Sequence, residues 1–593
     1  MIAQGQLSSF DSQHISADTM LPDLLGAHPE ARGVFDQYGL RGCGGDLGPV
    51  ESIAFFANTH GVDLTQLLGE IQQAIAAPPA TAARIAPSVA DTIYRRFFIA
   101  GIAVVLTAGA SWGAWLLIKI GLAGKFTGIS IHDINAHGHA QIFGWVGLFM
   151  MGFAYQAFPR LWHVDLPRPK LAVAAFLAML AGIIIRTVAM PLAGHAPALA
   201  AAMLGGSLEV AALAIFIGQI LSAFVNSDAR LEPYIGFAIA ALIFFLAMSL
   251  MSLWHTYNTM SAATREGLLW YVATYQGPLR DVQIHGLAML MILGVSMRML
   301  PPLFGVSPVP ARRAWWALAI LSFAVIAEVI IFIAYRWTNN HVIAATLLIP
   351  WAMLAVGAGM IALPWRLWRR LPLGDRSAKF VRAAYAWLAI SLLMLLVLPV
   401  YQSAIGTPFS HAYYGAIRHA ITVGFISLMI MGFAAKVVPT LNGIDTRTLP
   451  ALYGPFILIN VGCFLRVSLQ TLTDVHPVFY AIVGISGVLE VTALTWWGLP
   501  LVRIMRRGKR ESAREEHTTA VPNAILPEHR VADVLDWFPD TQAVFDQYGF
   551  SLLRNPLMRR TLARTVTLSQ AAQMKGVSRE DLLRDLNQAM ATR

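Results

Sequence analysis

The sequence predicts an all-α fold: a polytopic membrane bundle of about twelve transmembrane helices in three four-helix repeats, with a small helical cytosolic module at each end. Three observations predict it. Of 593 residues, 56% are hydrophobic and 13% charged, about half the charged share of a soluble chain. The apolar residues concentrate between 92 and 505, in runs of roughly 20 residues, long enough to cross a bilayer as helices. Segments of that region also match one another at fixed spacing. This composition excludes a soluble enzyme, a disordered scaffold and a nucleic-acid reader. The partner is a lipid bilayer, and the net charge of +10 marks cytoplasmic loops rather than nucleic acid binding.

Residues 1–90 are polar, mixed in charge and form the first module; their first thirty residues show no cleavable signal pattern. The membrane domain occupies 91–505. Its apolar runs lie near 96–120, 138–159, 170–192, 199–224, 234–257, 283–302, 314–335, 341–364, 382–402, 417–439, 451–472 and 478–502. Basic residues mark alternate loops. Arg95 and Arg96 precede span 1, and Arg160, Arg168 and Lys170 follow span 2. Arg312 and Arg313 separate spans 6 and 7; Arg366, Arg369, Arg370, Arg376, Lys379 and Arg382 surround the loop between spans 8 and 9. Positive loops stay inside, so both termini are expected in the cytoplasm of a bacterial-type inner membrane. A basic linker, 506–525, leads to a second copy of the module, 526–593. The copies share Asp, Leu, Pro and VFDQYG across 23–39 and 533–549, and only the first carries a cysteine, Cys43, in Arg41-Gly42-Cys43-Gly44-Gly45.

The repeats sit in the membrane domain. Residues 139–159 read HAQIFGWVGLFMMGFAYQAFP, and 419–439 read HAITVGFISLMIMGFAAKVVP. At the same spacing Arg186 matches Arg466, and Glu209 matches Glu490 one residue out of register. A weaker copy at 285–301 places Gly294 and Pro301 142 residues after Gly152 and Pro159; there the arginine position becomes Glu328. Four helices per copy make the copies parallel, related by an axis along the membrane normal.

The chemistry lies in histidines expected at one depth, the outer third of the membrane: His137 and His139 on span 2, His255 on span 5, His285 on span 6 and His419 on span 10. Ionisable side chains in lipid face the bundle interior, and neutral imidazole ligates heme iron, copper or zinc. His137 and His139 are two residues apart, about 200° around a helix, and cannot face the same partner. Either one ligates while the other faces elsewhere, or they serve two centres. The repeat pairs His139 with His419, as two axial ligands of one heme would be paired. His255 and His285, with those two, are the candidate metal ligands. A single histidine is explained equally well as a helix cap; five at one level are not. Arg186 and Arg466 either pair with Glu209 and Glu490 across neighbouring helices or bind heme propionates. Glu209, Glu328 and Glu490 are either ion-pair partners or proton carriers. With no Cys-x-x-Cys-His motif, any heme is noncovalent.

Twelve helices with histidines on spans 2, 6 and 10 resemble the heme-copper oxidase subunit I superfamily. The segment HGHAQIFGW, 137–145, resembles the helix 2 heme-ligand motif of cbb-type oxidases and nitric oxide reductases, in register at His137. It is closer to the His-x-His-x-x-x-Phe-Gly motif of the NnrS family, twelve-helix heme and copper proteins associated with nitric oxide and nitrosative stress. The resemblance implies noncovalent heme b, with or without copper. It implies nitric oxide or a nitrosylated species as partner, and a role in the nitric oxide response or denitrification. This chain departs from the oxidases. Arg418 and Ala420 flank His419 where they carry a His-x-His pair, and span 7 has Glu328 where they carry a copper-binding His-His pair. A proton-pumping oxygen reductase is therefore not expected, and His255 and His285 are left to hold reduced copper or a second metal. The end modules resemble a small domain of unknown function akin to the N-terminal segment of ScdA-type iron–sulfur repair proteins, which makes Cys43 a candidate redox or nitric-oxide-reactive thiol. Two other readings stand beside this one: a catalytic NO or O2 reductase whose metal site includes Glu328, and a metal-free transporter. The sequence names no electron donor and leaves open whether the protein is an enzyme.

Overall fold

A computed structural model describes residues 15–45, 47–76, 88–373, 375–518, 524–550, 553, 563 and 566–591. Among them there is no sheet; two isolated bridges, Met20 with Ser52 and Arg530 with Thr567, stand at matching places in the two end modules. Twelve helices are long and apolar enough to cross a membrane. They are Val89–Ala123, Ile131–Leu161, Pro169–Leu192, Pro197–Val225, Pro233–Met260, Arg265–Phe304, Ala311–Thr338, His341–Trp365, Ala378–Ile405, His411–Leu441, Tyr453–Leu472 and Val478–Arg507, numbered spans 1 to 12.

Their number and places agree with the hydropathy reading, and spans 1, 2, 6 and 10 begin six or more residues earlier than it predicts. Span 6 starts at Arg265 because Thr264 caps it, its side chain accepting from the Gly267 amide. The polar residues Arg265, Glu266, Arg280 and Asp281 hide that stretch from a hydropathy scan. Spans 2 and 10 likewise start at serine caps, Ser130 and Ser410. His285 is therefore twenty residues into its helix rather than at its end.

Spans 2, 6 and 10 are the three most buried, and the other nine wrap them. Span 1 packs on spans 2 and 12, span 3 on span 4, span 7 on span 8 and span 9 on span 10. Where spans 3 and 4 cross, a Cβ on Gly182 would stand 2.6 Å from the Gly205 carbonyl oxygen. Only glycine lets the two backbones touch there. Spans 2, 6 and 10 share a second feature: each widens into a π-helix, over 140–147, 282–289 and 420–427. The widening directly follows His139 and His419 and contains His285. Such segments recur at functional sites.

The first module consists of Leu21–Ala27, Arg32–Gln37, Ile53–His60 and Leu64–Ala76, closed over Leu21, Leu24, Phe35, Phe56, Leu67 and Ile71. It belongs to the same compact unit as the bundle. It sits on the ends of the three central spans remote from His137 and His419, with one anchor to each. Arg160 Nε of span 2 donates to the Arg41 carbonyl at 2.7 Å, and Arg298 of span 6 to the Thr59 carbonyl at 2.7 Å. The Gly44 amide donates to the Leu441 carbonyl of span 10 at 3.2 Å. The turn carrying Arg41 and Gly44 needs glycine: Gly42 has φ +72°, and a Cβ there would lie 2.7 Å from the Asp91 backbone. The second module, with helices Val531–Trp537, Gln542–Gln547, Leu568–Lys575 and Arg579–Ala591, has its own core of Val534, Leu535, Phe545, Leu568, Leu582 and Leu586.

Two groups of the first module oppose each other in pH. Burial pushes the Glu51 carboxyl up to about 7, from 4.5. Its contribution to stability is complete below pH 4.5 and is lost as pH rises through 7. Burial, with the charges of His163 and Arg298, holds His60 down at about 3, from 6.5. That contribution is present above pH 6.5 and is lost as pH falls toward 3. His60→Gln should therefore melt higher at pH 5 than at pH 7 by scanning fluorimetry in detergent, and Glu51→Gln should do the reverse.

Candidate functional site

Three polar clusters lie inside the bundle. The first joins spans 2, 3, 4 and 5. The Glu209 carboxylate is shared: Oε1 lies 2.9 Å from His139 Nε2, and Oε2 accepts from Arg186 Nη1 at 2.8 Å. Arg186 Nη2 also donates to the Ser252 carbonyl and hydroxyl, each at 2.7 Å, and to the Thr256 hydroxyl. The guanidinium lies over the Phe143 ring, 5.8 Å from its centroid. All these polar groups are buried. The close approach of spans 3 and 4 at Gly182 and Gly205 is what sets Arg186 beside Glu209. One carboxylate thus neutralises one guanidinium in a region where an unmatched charge is expensive, and two of the three Arg186 nitrogens are occupied.

The second cluster joins spans 6, 7 and 10. His285 Nδ1 lies 2.8 Å from Glu328 Oε1. One turn earlier, Asp281 accepts from Arg418 at 3.3 Å and from the Tyr414 hydroxyl at 3.3 Å. Arg280 is held by amide oxygens, Gln283 Oε1 at 2.9 Å and Asn135 Oδ1 of span 2 at 3.5 Å. The sequence reading gave none of Asp281, Arg280, Arg418 and Tyr414 a site role. The signal was present: Asp281 stands 142 residues after His139 and 138 before His419, the place the histidine takes in the other two copies.

The third cluster lies among spans 1, 2, 10, 11 and 12. His137 Nδ1 donates to the Gly109 carbonyl at 3.1 Å, and His419 Nδ1 to the Gly415 carbonyl at 3.0 Å. The His137 ring abuts span 1, where a Cβ on Gly113 would stand 2.6 Å from its Cε1. The charges acting on His419 include Arg466, His137 and Arg418. Arg466 is buried with Nε and Nη1 lacking hydrogen-bond partners, as does Glu490 Oε1. Arg466 and Glu490 face each other without closing the ion pair that Arg186 and Glu209 close at the matching positions.

His137 and His139 thus serve different surroundings, and it is His137 that lies in the cluster with His419. His255 is buried against Tyr271, with Nε2 unpartnered. Among the described residues no three His, Cys, Asp or Glu side chains gather as a metal site, so His255 and His285 are not joined by a third ligand. Cys43 is half-buried, its Sγ 4.0 Å from the Thr440 carbonyl oxygen. Burial, and after it the Glu51 charge, pushes its thiol up to about 12, so no thiolate forms near neutral pH.

Glu209→Ala leaves Arg186 buried without its carboxylate. It should cost about 3–5 kcal/mol of stability. Glu209→Leu with Arg186→Met should recover most of that loss, as read from thermal melts of the purified protein.

A comparison with curated proteins found none that matches the chain. Two family models match: that of the Domain of unknown function (DUF1858) over residues 525–583, and that described as NnrS protein over residues 89–509. The second match takes in all twelve spans and the three clusters they hold; the chain belongs to the NnrS family.

Proposed function

We propose that this protein is a noncovalent heme b protein of a bacterial-type inner membrane, with both ends cytoplasmic, acting in the nitric oxide response or denitrification with nitric oxide or a nitrosylated species as its partner. Membership of the NnrS family supports the nitric oxide setting. One observation carries the heme: His137 and His419 lie in one cluster, and each spends Nδ1–H on a backbone carbonyl. That hydrogen bond selects the tautomer whose Nε2 lone pair is free for a metal, and it aims the ring. The donor set fits heme in a second way. The unpaired Arg466 nitrogens beside these rings are the donors a propionate takes.

In this reading His137 and His419 would hold the iron, the Gly109 and Gly415 carbonyls would orient the rings, and Arg466 would take a propionate. A heme held by both rings would supply an iron that accepts and passes on an electron. Arg186 has its donors on Glu209, Ser252 and Thr256, so His139, Glu209 and Arg186 act as a neutral strut beside the site. Copper draws less support, because among the described residues no three His, Cys, Asp or Glu side chains gather as a metal site.

A reduced-minus-oxidised absorption spectrum with iron quantification tests the proposal. A b-type spectrum should vanish in His137→Ala and in His419→Ala and persist in His139→Ala. Loss in His139→Ala with retention in His137→Ala would transfer the ligand role to His139. Wild-type protein without iron after expression with heme supply would sink the proposal.

A further inference from the structure

The three central spans touch, as at Trp145 with Ser427 and at the Phe153 and Phe433 rings, without filling all the space among them. Between them lies a cavity of roughly 100 Å³, with every lining side chain apolar. Its walls come in layers with one residue from each span. Phe149, Met291 and Met429 form one layer; Phe153, Val295 and Phe433 form another. Within each layer the residues are 142 and 138 positions apart, the spacing that relates the sequence repeats. Phe153, Val295 and Phe433 keep accessible surface although they face the middle of the bundle.

Toward the histidines, the Trp145 indole donates to the Ser427 hydroxyl at 3.1 Å and ties span 2 to span 10. No side chain of the three polar clusters lines the cavity.

Its chemistry restricts what it holds. A water needs two to four polar partners and finds none here, so the space is dry. An ion or a hydrogen-bonding ligand would lose its hydration without replacement. The volume is below the roughly 300 Å³ of sites for drug-sized ligands, and too small for an acyl chain. A neutral molecule of two or three heavy atoms fits, and it regains dispersion contacts that the facing walls lack. Such molecules also dissolve in the surrounding bilayer, which gives them a supply.

We propose that the axial cavity between spans 2, 6 and 10 is a binding site for a small neutral apolar molecule of the diatomic-gas class. Nitric oxide is its natural occupant under the proposed function, but the cavity's selectivity rests on its own walls and not on the heme.

The test is xenon binding to the full-length protein in detergent, followed by 129Xe nuclear magnetic resonance and by density under xenon pressure. One saturable xenon should appear on the axis, and nitric oxide should displace it. Ala288→Phe, which fills the cavity from span 6, should abolish binding while the heme spectrum persists. If Ala288→Phe does not fold, the milder Val295→Ile should weaken xenon binding at an unchanged melting temperature. The proposal is overturned by wild-type protein that binds no xenon, by binding that neither filling variant alters, by failure of nitric oxide to displace xenon, or by detergent or lipid chain density on the axis. Because xenon binding needs no iron, a heme-free result would defeat the proposed function and leave this one standing.

Discussion

A guanidinium inside a bilayer has to be matched, and the match between Arg186 and Glu209 determines most of what surrounds it. Glu209 reaches two ways, to Arg186 and to His139. His139 accordingly lies on the side of span 2 that faces spans 3 to 5. Two residues earlier and about 200° around the helix, His137 is then turned toward span 1 and the cluster of His419. The separation of the two histidines into different clusters follows from one carboxylate on span 4.

The residues that match Arg186 and Glu209 by sequence spacing are arranged differently. Arg466 and Glu490 occupy the matching places, but their pair stays open and their buried nitrogens and oxygen lack partners. Arg186 spends its charge on Glu209, whereas Arg466 keeps buried nitrogens without a partner.

How much of this was legible can be judged residue by residue. The spans were legible because lipid leaves the backbone no hydrogen-bond partner outside its own helix, which imposes long apolar runs. The first turns of spans 2, 6 and 10 were not, because polar residues occupy them and serine or threonine caps decide where they begin. The repeat spacing located Arg186, Glu209, His419 and Arg466. It also aligned His139 with His419, whereas the structure sets His137 in the His419 cluster; partners on neighbouring helices decide that, and a repeat cannot encode them. Past each π-helical segment, side-chain directions no longer follow the 3.6-residue pitch, so faces computed from spacing drift. The axial cavity left a different trace, the 142 and 138 spacing of its walls, which has meaning only once the three helices are known to share an axis.

The first module is anchored to all three central helices, through Arg160, Arg298 and Leu441, with the Cys43 sulfur beside Thr440 as a further contact on span 10. Three points define a plane. Mounted in this way, the first module is insensitive to a common displacement of the three helices along their axis, because all three feet rise together. A tilt or a slide of any one of them takes the plane with it. The module is a tripod that registers differences in height among the central helices and ignores their sum.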